Sequence, residues 1–127
     1  VKDGVVNDEV TLQTATGLHI VATVTRDSRE SLGLAPGVEA FALVKASSII
    51  LATDTAGARF SARNQLAGTV TRVLPGAVST EVTLALGGGA SVAAIITHDS
   101  GEALALQPGQ PAVALFKASS VIVAIPA

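Results

Sequence analysis

Apolar and polar residues alternate along most of this chain, a pattern typical of β-strands with one buried face. In residues 77–86, for example, Val78, Val82 and Leu84 fall on the same face. Proline and glycine residues separate the alternating runs and predict turns between them. The second half of the chain therefore predicts five strands, at residues 67–74, 77–86, 90–97, 111–116 and 120–125.

The period changes once, after the third of these strands. Asp99 and Glu102 have the spacing of a capping box, and the apolar residues that follow predict a helix of one or two turns. Gln107-Pro108-Gly109 then ends this helix. Three strands, one helix and two strands is the order of the OB-fold barrel, whose closure also removes exposed strand edges.

The same sequence pattern occurs twice in the chain. Glu9-Val10-Thr11-Leu12 returns 72 residues later as Glu81-Val82-Thr83-Leu84, and Lys45-Ala46-Ser47-Ser48 returns as Lys117-Ala118-Ser119-Ser120. The register holds without a gap over Val1–Ala52, with roughly half of the paired positions identical, which indicates a duplication. The predicted domains are residues 1–56 and 57–127.

The first repeat lacks its opening strand. Residues 61–72 open the second repeat, and their counterparts would precede Val1. The sequence leaves three explanations open: the strand was cut off, is disordered and unnumbered, or was moved by engineering. The fold class is all-β, with two tandem OB-fold-like five-stranded barrels, each with one short helix between strands three and four. The first repeat predicts a helix from Asp27 and strands at 5–14, 18–25, 38–44 and 48–53.

Composition limits what the chain can do. Its 127 residues are 49% hydrophobic, yet they include three Phe and no Trp, Tyr, Met or Cys. Small units without large aromatic residues bury little area, so we expect oligomerisation. The formal net charge of −2 argues against nucleic-acid binding. No apolar run reaches the ~20 residues of a membrane span, and the absence of cysteine fits a reducing compartment.

The duplicated Lys45-Ala46-Ser47 and Lys117-Ala118-Ser119 are the first candidates for chemistry. Each places a cation, a hydroxyl and a small residue at the end of a predicted strand. A tetrahedral oxyanion binds to such a set of N–H, O–H and cationic donors. The plainer alternative is a solvated lysine beside a tight turn.

Two further kinds of segment carry hydrogen-bond donors. Thr25 and Ser28, and equally Thr97 and Ser100, lie at a predicted helix start, where free N–H groups favour anions. Plain helix capping explains these residues as well. Ser61-Ala62-Arg63-Asn64 has the same donor-rich character, with an exposed strand start as its alternative.

Other chemical signals are weak. His19 and His98 occupy non-equivalent repeat positions without a cluster of metal ligands, so we predict no site for a bare metal cation. Gly87-Gly88-Gly89 is not followed by the residues of a phosphate loop. No nucleophile and base have a catalytic spacing, and we predict that the protein is not an enzyme.

Together these motifs resemble the molbindin family, whose unit is called the Mop or TOBE domain. In the second repeat the resemblance is carried by Ser61-Ala62-Arg63-Asn64-Gln65-Leu66 with Gly68, Gly76-Ala77-Val78 with Glu81-Val82, Thr97-x-x-Ser100, Leu104-x-Leu106-x-x-Gly109 and Lys117-Ala118-Ser119. The first repeat carries Gly4-x-Val6 with Glu9-Val10, Thr25-x-x-Ser28, Leu32-x-Leu34-x-x-Gly37 and Lys45-Ala46-Ser47. Two tandem units are similar to the cytoplasmic molybdate-binding proteins of this family.

The resemblance implies a homotrimer that holds molybdate, or tungstate, at interfaces between units. The Ser-Ala-Arg-Asn segment of one unit would face the Thr-x-x-Ser and Lys-Ala-Ser segments of another. The oxyanion-binding residues carried over in this way are Ser61, Ala62, Arg63, Asn64, Thr25, Ser28, Lys45, Ala46, Ser47, Thr97, Ser100, Lys117, Ala118 and Ser119. Because the first repeat has no opening segment, half of these sites lack a partner unless the uncut protein supplies it.

Two functions follow from the resemblance. The first is cytoplasmic storage and homeostasis of molybdate without enzymatic activity. The second is a ligand-sensing module of a molybdate-responsive transcription factor or transporter ATPase. A third hypothesis, an OB-fold nucleic-acid binder, is disfavoured because stacking aromatic residues and a basic groove are absent.

Overall fold

A computed structural model describes residues 6–55 and 57–127. Short 3-10 helices at Ala46–Ser48 and Ala118–Ser120 each precede a short strand. The main elements are β1 Asn7–Gln13, β2 His19–Thr25, α1 Arg26–Leu32, β3 Phe41–Val44, β4 Ile50–Ala52, β5 Asn64–Pro75, β6 Ser79–Gly87, β7 Ala90–Thr97, α2 His98–Ala103, β8 Pro111–Phe116 and β9 Val121–Ala124. The predicted element order is confirmed. The predicted strand start at Val5, like the motif residue Gly4, lies outside the described residues.

The chain divides into two compact units. The central unit is Ala46–Phe116, and the terminal unit combines Val1–Lys45 with Lys117–Ala127. The central unit contains one antiparallel five-stranded sheet with the strand order β4-β8-β5-β6-β7. The terminal unit contains two separate pairs, the β1-β2 hairpin and the β3-β9 pair.

Strand β5 organises the central unit because it pairs with two neighbours in succession. Its first half pairs with β8, from Asn64 opposite Phe116 to Thr69 opposite Pro111. Its second half pairs with β6, with a register shift between Val70 and Arg72. Such an irregularity bends a strand and increases its twist, which lets β5 pass from one neighbour to the next.

The two units do not follow the sequence repeats. β4, the last strand of the first repeat, pairs with β8, so that Ile50 lies opposite Leu115. β9, the last strand of the second repeat, pairs with β3, so that Ile122 lies opposite Leu43. The all-β fold class is confirmed, whereas the pairings of the described residues form three sheets rather than two closed barrels. The predicted domain boundary after residue 56 stays a prediction about where the duplicated sequence divides. The two compact units of the structure have other boundaries.

Small aliphatic side chains fill the core of the central unit. Val70, Val82 and Leu84 are almost completely buried. Gly68 in β5 lies so close to β6 that a Cβ atom there would approach the Ala85 carbonyl oxygen to 2.5 Å. The approach of β5 to β6 therefore requires glycine at this position.

The terminal unit contains a buried carboxylate with two partly exposed cationic partners. The Asp8 side chain is fully buried and forms ion pairs with Arg26 at 3.2 Å and Arg29 at 3.5 Å. One repeat later, the corresponding residues are Thr80, His98 and Gly101. The two repeats therefore differ at all three equivalent positions. A buried carboxylate requires cationic partners, whereas a buried threonine does not.

We predict that Gly68→Ala lowers the free energy of unfolding by about 1–3 kcal/mol, because backbone atoms of β6 would have to move. Gly101→Ala is the matched control, since its Cβ would lie at an ordinary 3.4–3.6 Å from Thr80 atoms. Urea denaturation of both variants measures the difference. Equal stabilities would contradict the required close approach.

A second prediction concerns the Asp8 carboxylate and its two arginine partners. Asp8→Thr alone should cost about 1–3 kcal/mol, since two partly exposed arginines each lose an ion pair. Arg26→His with Arg29→Gly should cost more, because the buried carboxylate loses both arginines. The triple variant carries the complete central-unit set and should be more stable than either. Urea unfolding midpoints measure this order, and additive losses in the triple variant would disprove the coupling.

Candidate functional site

The Thr-x-x-Ser segments have the same geometry in both repeats. Thr25 and Thr97 are the N-cap residues of α1 and α2, each with φ −68° and ψ 152°. Each threonine Oγ accepts a hydrogen bond from the backbone N–H of Ser28 or Ser100 at 3.1 Å. The same Oγ donates to the serine Oγ at 2.8 Å. Both threonines therefore serve as caps.

The predicted capping box is wrong in its register. Asp99 lies in the first turn of α2 rather than at the N-cap, and Asp27 has the same place in α1. Glu102 Oε1 lies 3.0 Å from Nε2 of His98, one helical turn away. The threonine takes the N-cap because its hydroxyl reaches the N–H three residues later, the usual capping bond.

This cap leaves a donor on the serine. A hydroxyl has one hydrogen and can accept two, and each serine Oγ accepts from the threonine in the pair. The serine's own hydrogen is not used in that bond. Donation from threonine strengthens the serine as a donor, because hydrogen bonds in a chain polarise one another. In each segment the serine hydroxyl is therefore less committed to the cap than the threonine hydroxyl.

The Ser61-Ala62-Arg63-Asn64 segment leads directly into β5. Arg63 is exposed, whereas Asn64 is buried and pairs with Phe116 of β8. The Gln65 side chain donates to the carbonyl oxygens of Phe60 at 3.3 Å and Ala62 at 3.0 Å. These bonds hold the segment in a turn. Gln65 was not among the candidate residues, although it belongs to the motif, because a turn-holding role depends on backbone positions.

One end of the central sheet collects two of the predicted segments. β8 ends at Phe116, and Leu115 lies opposite both Ile50 of β4 and Gln65 of β5. Ala46 and Ser47 precede β4, and the Ser61–Asn64 segment leads into β5. Both segments therefore lie at the same end of the sheet. The repeat boundary separates them in the sequence, and the strand exchange brings them into one unit.

Other predicted residues lie elsewhere. Thr97 pairs with Ser79, and Thr80 pairs with Pro75, the last residue of β5, so this end of the sheet lies far from Asn64. Lys45 and Lys117 are the residues of the terminal unit that border the central unit in the sequence, next to Ala46 and Phe116. The 3-10 helix Ala118–Ser120 contacts β2, which ends at Thr25. Each Lys-Ala-Ser helix thus contacts a strand of the other repeat, since Ala46–Ser48 contacts β7.

The surroundings of Thr25 do not favour an anion. Thr25, Arg26, Asp27 and Glu30 line a shallow cleft of about 390 Å³ in the terminal unit together with Val6. Two carboxylates in this cleft oppose one guanidinium that already pairs with Asp8. A dianion in this cleft would meet like charge, so this cleft is a poor place for an anion.

Two negative findings apply to the described residues. Within ranges 6–55 and 57–127, no group of three or more His, Cys, Asp or Glu side chains could hold a metal ion. Neither α-helix in this part of the chain has the length and apolar character needed to cross a membrane.

Comparison with known proteins gives a consistent family pattern. A family model described as the TOBE domain matches residues 1–51 and again 61–123. The molybdenum-pterin-binding protein MopA of Rhodobacter capsulatus is 50% identical over 123 residues, covering 97% of this chain and 46% of MopA. The molybdenum transport protein ModE of Herbaspirillum seropedicae is 48% identical over 122 residues, covering 96% and 45%. The chain spans less than half the length of these two relatives.

A solved structure matches the whole fold. The cytoplasmic molybdate-binding protein ModG, crystallised with molybdate bound, superposes with a TM-score of 0.95 and is 46% identical. The match covers 98% of this chain and 89% of ModG. The named relatives are binding proteins or a transport protein.

We predict that Thr97→Val and Ser100→Ala separate capping from ligand binding. Thr97→Val removes the acceptor for the Ser100 N–H and should cost about 1 kcal/mol of stability. Ser100→Ala keeps that backbone bond and should change stability by less than about 0.5 kcal/mol. Thermal unfolding of both variants without added anions tests this, and equal losses would mean that the serine hydroxyl is itself part of the cap.

Proposed function

The chain belongs to the TOBE domain family in two tandem copies, and from this premise we propose that it binds molybdate, or the similar tungstate, in the cytoplasm. The protein stores the oxyanion and buffers its concentration without catalysing a reaction. The observation that carries the proposal is the likeness to molybdate-bound ModG over 98% of this chain.

The donors of the described residues support an oxyanion ligand. Molybdate and tungstate are tetrahedral dianions, which bind to several N–H and O–H groups with one or two cations and little bulk. Ser28 and Ser100 have an available hydroxyl hydrogen, and Arg63 is an exposed cation beside a small residue. The proposed ligands are the fourteen residues that the family resemblance implies. They are Ser61–Asn64 together with both copies of the Thr-x-x-Ser and Lys-Ala-Ser motifs.

Exposed apolar side chains support assembly. On the β3-β9 pair, Phe41, Leu43 and Ile122 are 51%, 53% and 63% exposed. Leu43 lies directly opposite Ile122, so the patch is continuous across the two strands. Such patches mark interaction surfaces. We propose that the protein is a homotrimer whose anion sites lie at interfaces between sequence repeats.

A second candidate function is a ligand-sensing module. The chain covers 45% of the molybdenum transport protein ModE, so a related module can be combined with a further segment. In that case binding would control an attached domain of a transcription factor or transporter ATPase. Both functions require the same oxyanion site, so anion binding alone does not distinguish them. A full-length gene that encodes an attached DNA-binding or ATPase domain would favour the ligand-sensing module.

The decisive experiment is calorimetric titration with molybdate, tungstate, sulfate and phosphate in separate runs. We expect binding of molybdate and tungstate, because the family likeness favours these larger tetrahedral anions. Binding of none of the four would disprove both candidate functions. Preferential binding of sulfate or phosphate would retain an oxyanion site and reject molybdate as its ligand.

We predict that Arg63→Ala and Lys117→Ala each weaken molybdate binding about tenfold or more, since each removes a charge-assisted hydrogen bond. Arg72→Ala is the matched control, because it removes the same charge from an exposed position of β5 outside the candidate site. Calorimetry measures affinity, and circular dichroism checks the fold. Equal weakening in all three variants would indicate general electrostatics instead.

The assembly has its own test. Sedimentation equilibrium should give a trimer, and Leu43→Glu with Ile122→Glu should shift it toward smaller species, because paired carboxylates would lie in the apolar patch. Thr71→Glu, on an exposed residue of β5 in the central unit, is the control. A stable monomer of the unmodified chain would remove the argument for sites between subunits.

A further inference from the structure

The side chain of Gln65 bonds twice to the segment that leads into β5. Its Nε2 donates to the carbonyl oxygens of Phe60 at 3.3 Å and Ala62 at 3.0 Å. A primary amide nitrogen carries two hydrogens, so each carbonyl oxygen takes one of them. Gln65 is exposed, and water would satisfy these groups if the bonds were absent. The bonds therefore contribute more to the direction of the backbone than to the stability of the fold.

The two bonds fix the direction of two peptide groups. In a planar trans peptide the C=O and the N–H point in opposite directions, and the described residues contain no cis peptide bond. The Phe60 carbonyl shares its peptide with the Ser61 N–H, and the Ala62 carbonyl shares its peptide with the Arg63 N–H. Because both carbonyl oxygens converge on Nε2 of Gln65, both N–H groups point away from that nitrogen.

The Ser61 N–H is the donor that this arrangement leaves available. Within ranges 6–55 and 57–127, no backbone or side-chain oxygen accepts a hydrogen bond from it. Ser61 is exposed, so a molecule from solvent can approach this group. Backbone N–H groups that point outward from a turn bind anions in many proteins. Ser61 thus offers two donors, its hydroxyl and its peptide N–H, and the direction of the second depends on Gln65.

We infer that Gln65 is a positioning residue of the oxyanion site, and that the Ser61 peptide N–H, which Gln65 directs, is a further ligand. The inference rests on the proposed function, because the ligand is the same tetrahedral oxyanion. Gln65 itself does not touch the anion, since both hydrogens of its amide bond to carbonyl oxygens. Its second bond sets the peptide group from which Arg63 starts, so one side chain aligns two candidate ligands. A peptide N–H adds no bulk and only donates, which suits an oxyanion without a proton.

The test compares variants by calorimetric titration with molybdate. Gln65→Met keeps the length of the side chain and removes both donors without adding charge. We expect the affinity to fall about tenfold or more, since a misdirected N–H forfeits a charge-assisted hydrogen bond. The Tm of the anion-free variant should stay close to that of the unmodified protein, because Gln65 is exposed.

Gln110→Met is the matched control. The Gln110 Oε1 accepts a hydrogen bond from the backbone N–H of Gln107 at 3.2 Å, so this glutamine also holds a turn in the central unit. Gln110 lies next to the start of β8, whereas Asn64 pairs with Phe116 at the end of β8. The control variant should therefore bind molybdate within about twofold of the unmodified affinity.

Amide NMR separates direction from stability. In the unmodified protein, saturating molybdate should move the Ser61 amide proton downfield and slow its exchange with solvent by about tenfold or more. Gln65→Met should lose both effects, even at saturating molybdate. A purely structural role of Gln65 would lower the Tm and leave both effects in place at saturation, which would overturn the inference.

The outcomes separate this inference from the proposed function. If the unmodified protein binds molybdate and Gln65→Met binds it equally tightly, the positioning role is wrong and the proposed function stands. Equal weakening by both methionine variants, or binding without a response of the Ser61 amide, would also overturn the inference. If the unmodified protein binds no oxyanion, the proposed function fails, and this inference fails with it.

Discussion

The double pairing of β5 is the constraint on which the central unit depends. A strand with partners on both sides satisfies its backbone hydrogen bonds and covers the side chains beneath it. Gly68 permits the close approach to β6, and Val70 fills the core at the point where β5 changes neighbours. Four other strands take their places relative to this one.

In the terminal unit, no described strand pairs with two neighbours as β5 does. Its equivalent strands form two separate pairs, β1-β2 and β3-β9. Residues 10–13 and 34–40, which are counterparts of residues that contact β5, line a groove of about 480 Å³ in this unit. The buried Asp8 carboxylate forms ion pairs with Arg26 and Arg29 here, at positions where the central unit has Thr80, His98 and Gly101. Two copies of one sequence have therefore become different in their cores.

The candidate ligands combine structural and chemical roles. Thr25 and Thr97 cap helices, and their hydroxyls also donate to the hydroxyls of Ser28 and Ser100. Gln65 holds the turn before β5 by bonding to two backbone carbonyl oxygens. The alternative of plain capping was correct for the threonines. It does not account for the serine hydroxyls, whose hydrogens lie outside the capping bonds.

The sequence by itself determined the elements, because alternation, turn residues and the 72-residue repeat are local properties. Residues 90–97 and 111–116 were predicted with the observed bounds. Only the tertiary structure decided which strands pair. β4 and β9 follow the same Lys-Ala-Ser-Ser motif and have similar aliphatic residues, so local pattern cannot assign either one to a sheet. The exchange of these two strands places Ala46 and Ser47 at the same end of the sheet as Ser61–Asn64, and that grouping depends on long-range packing.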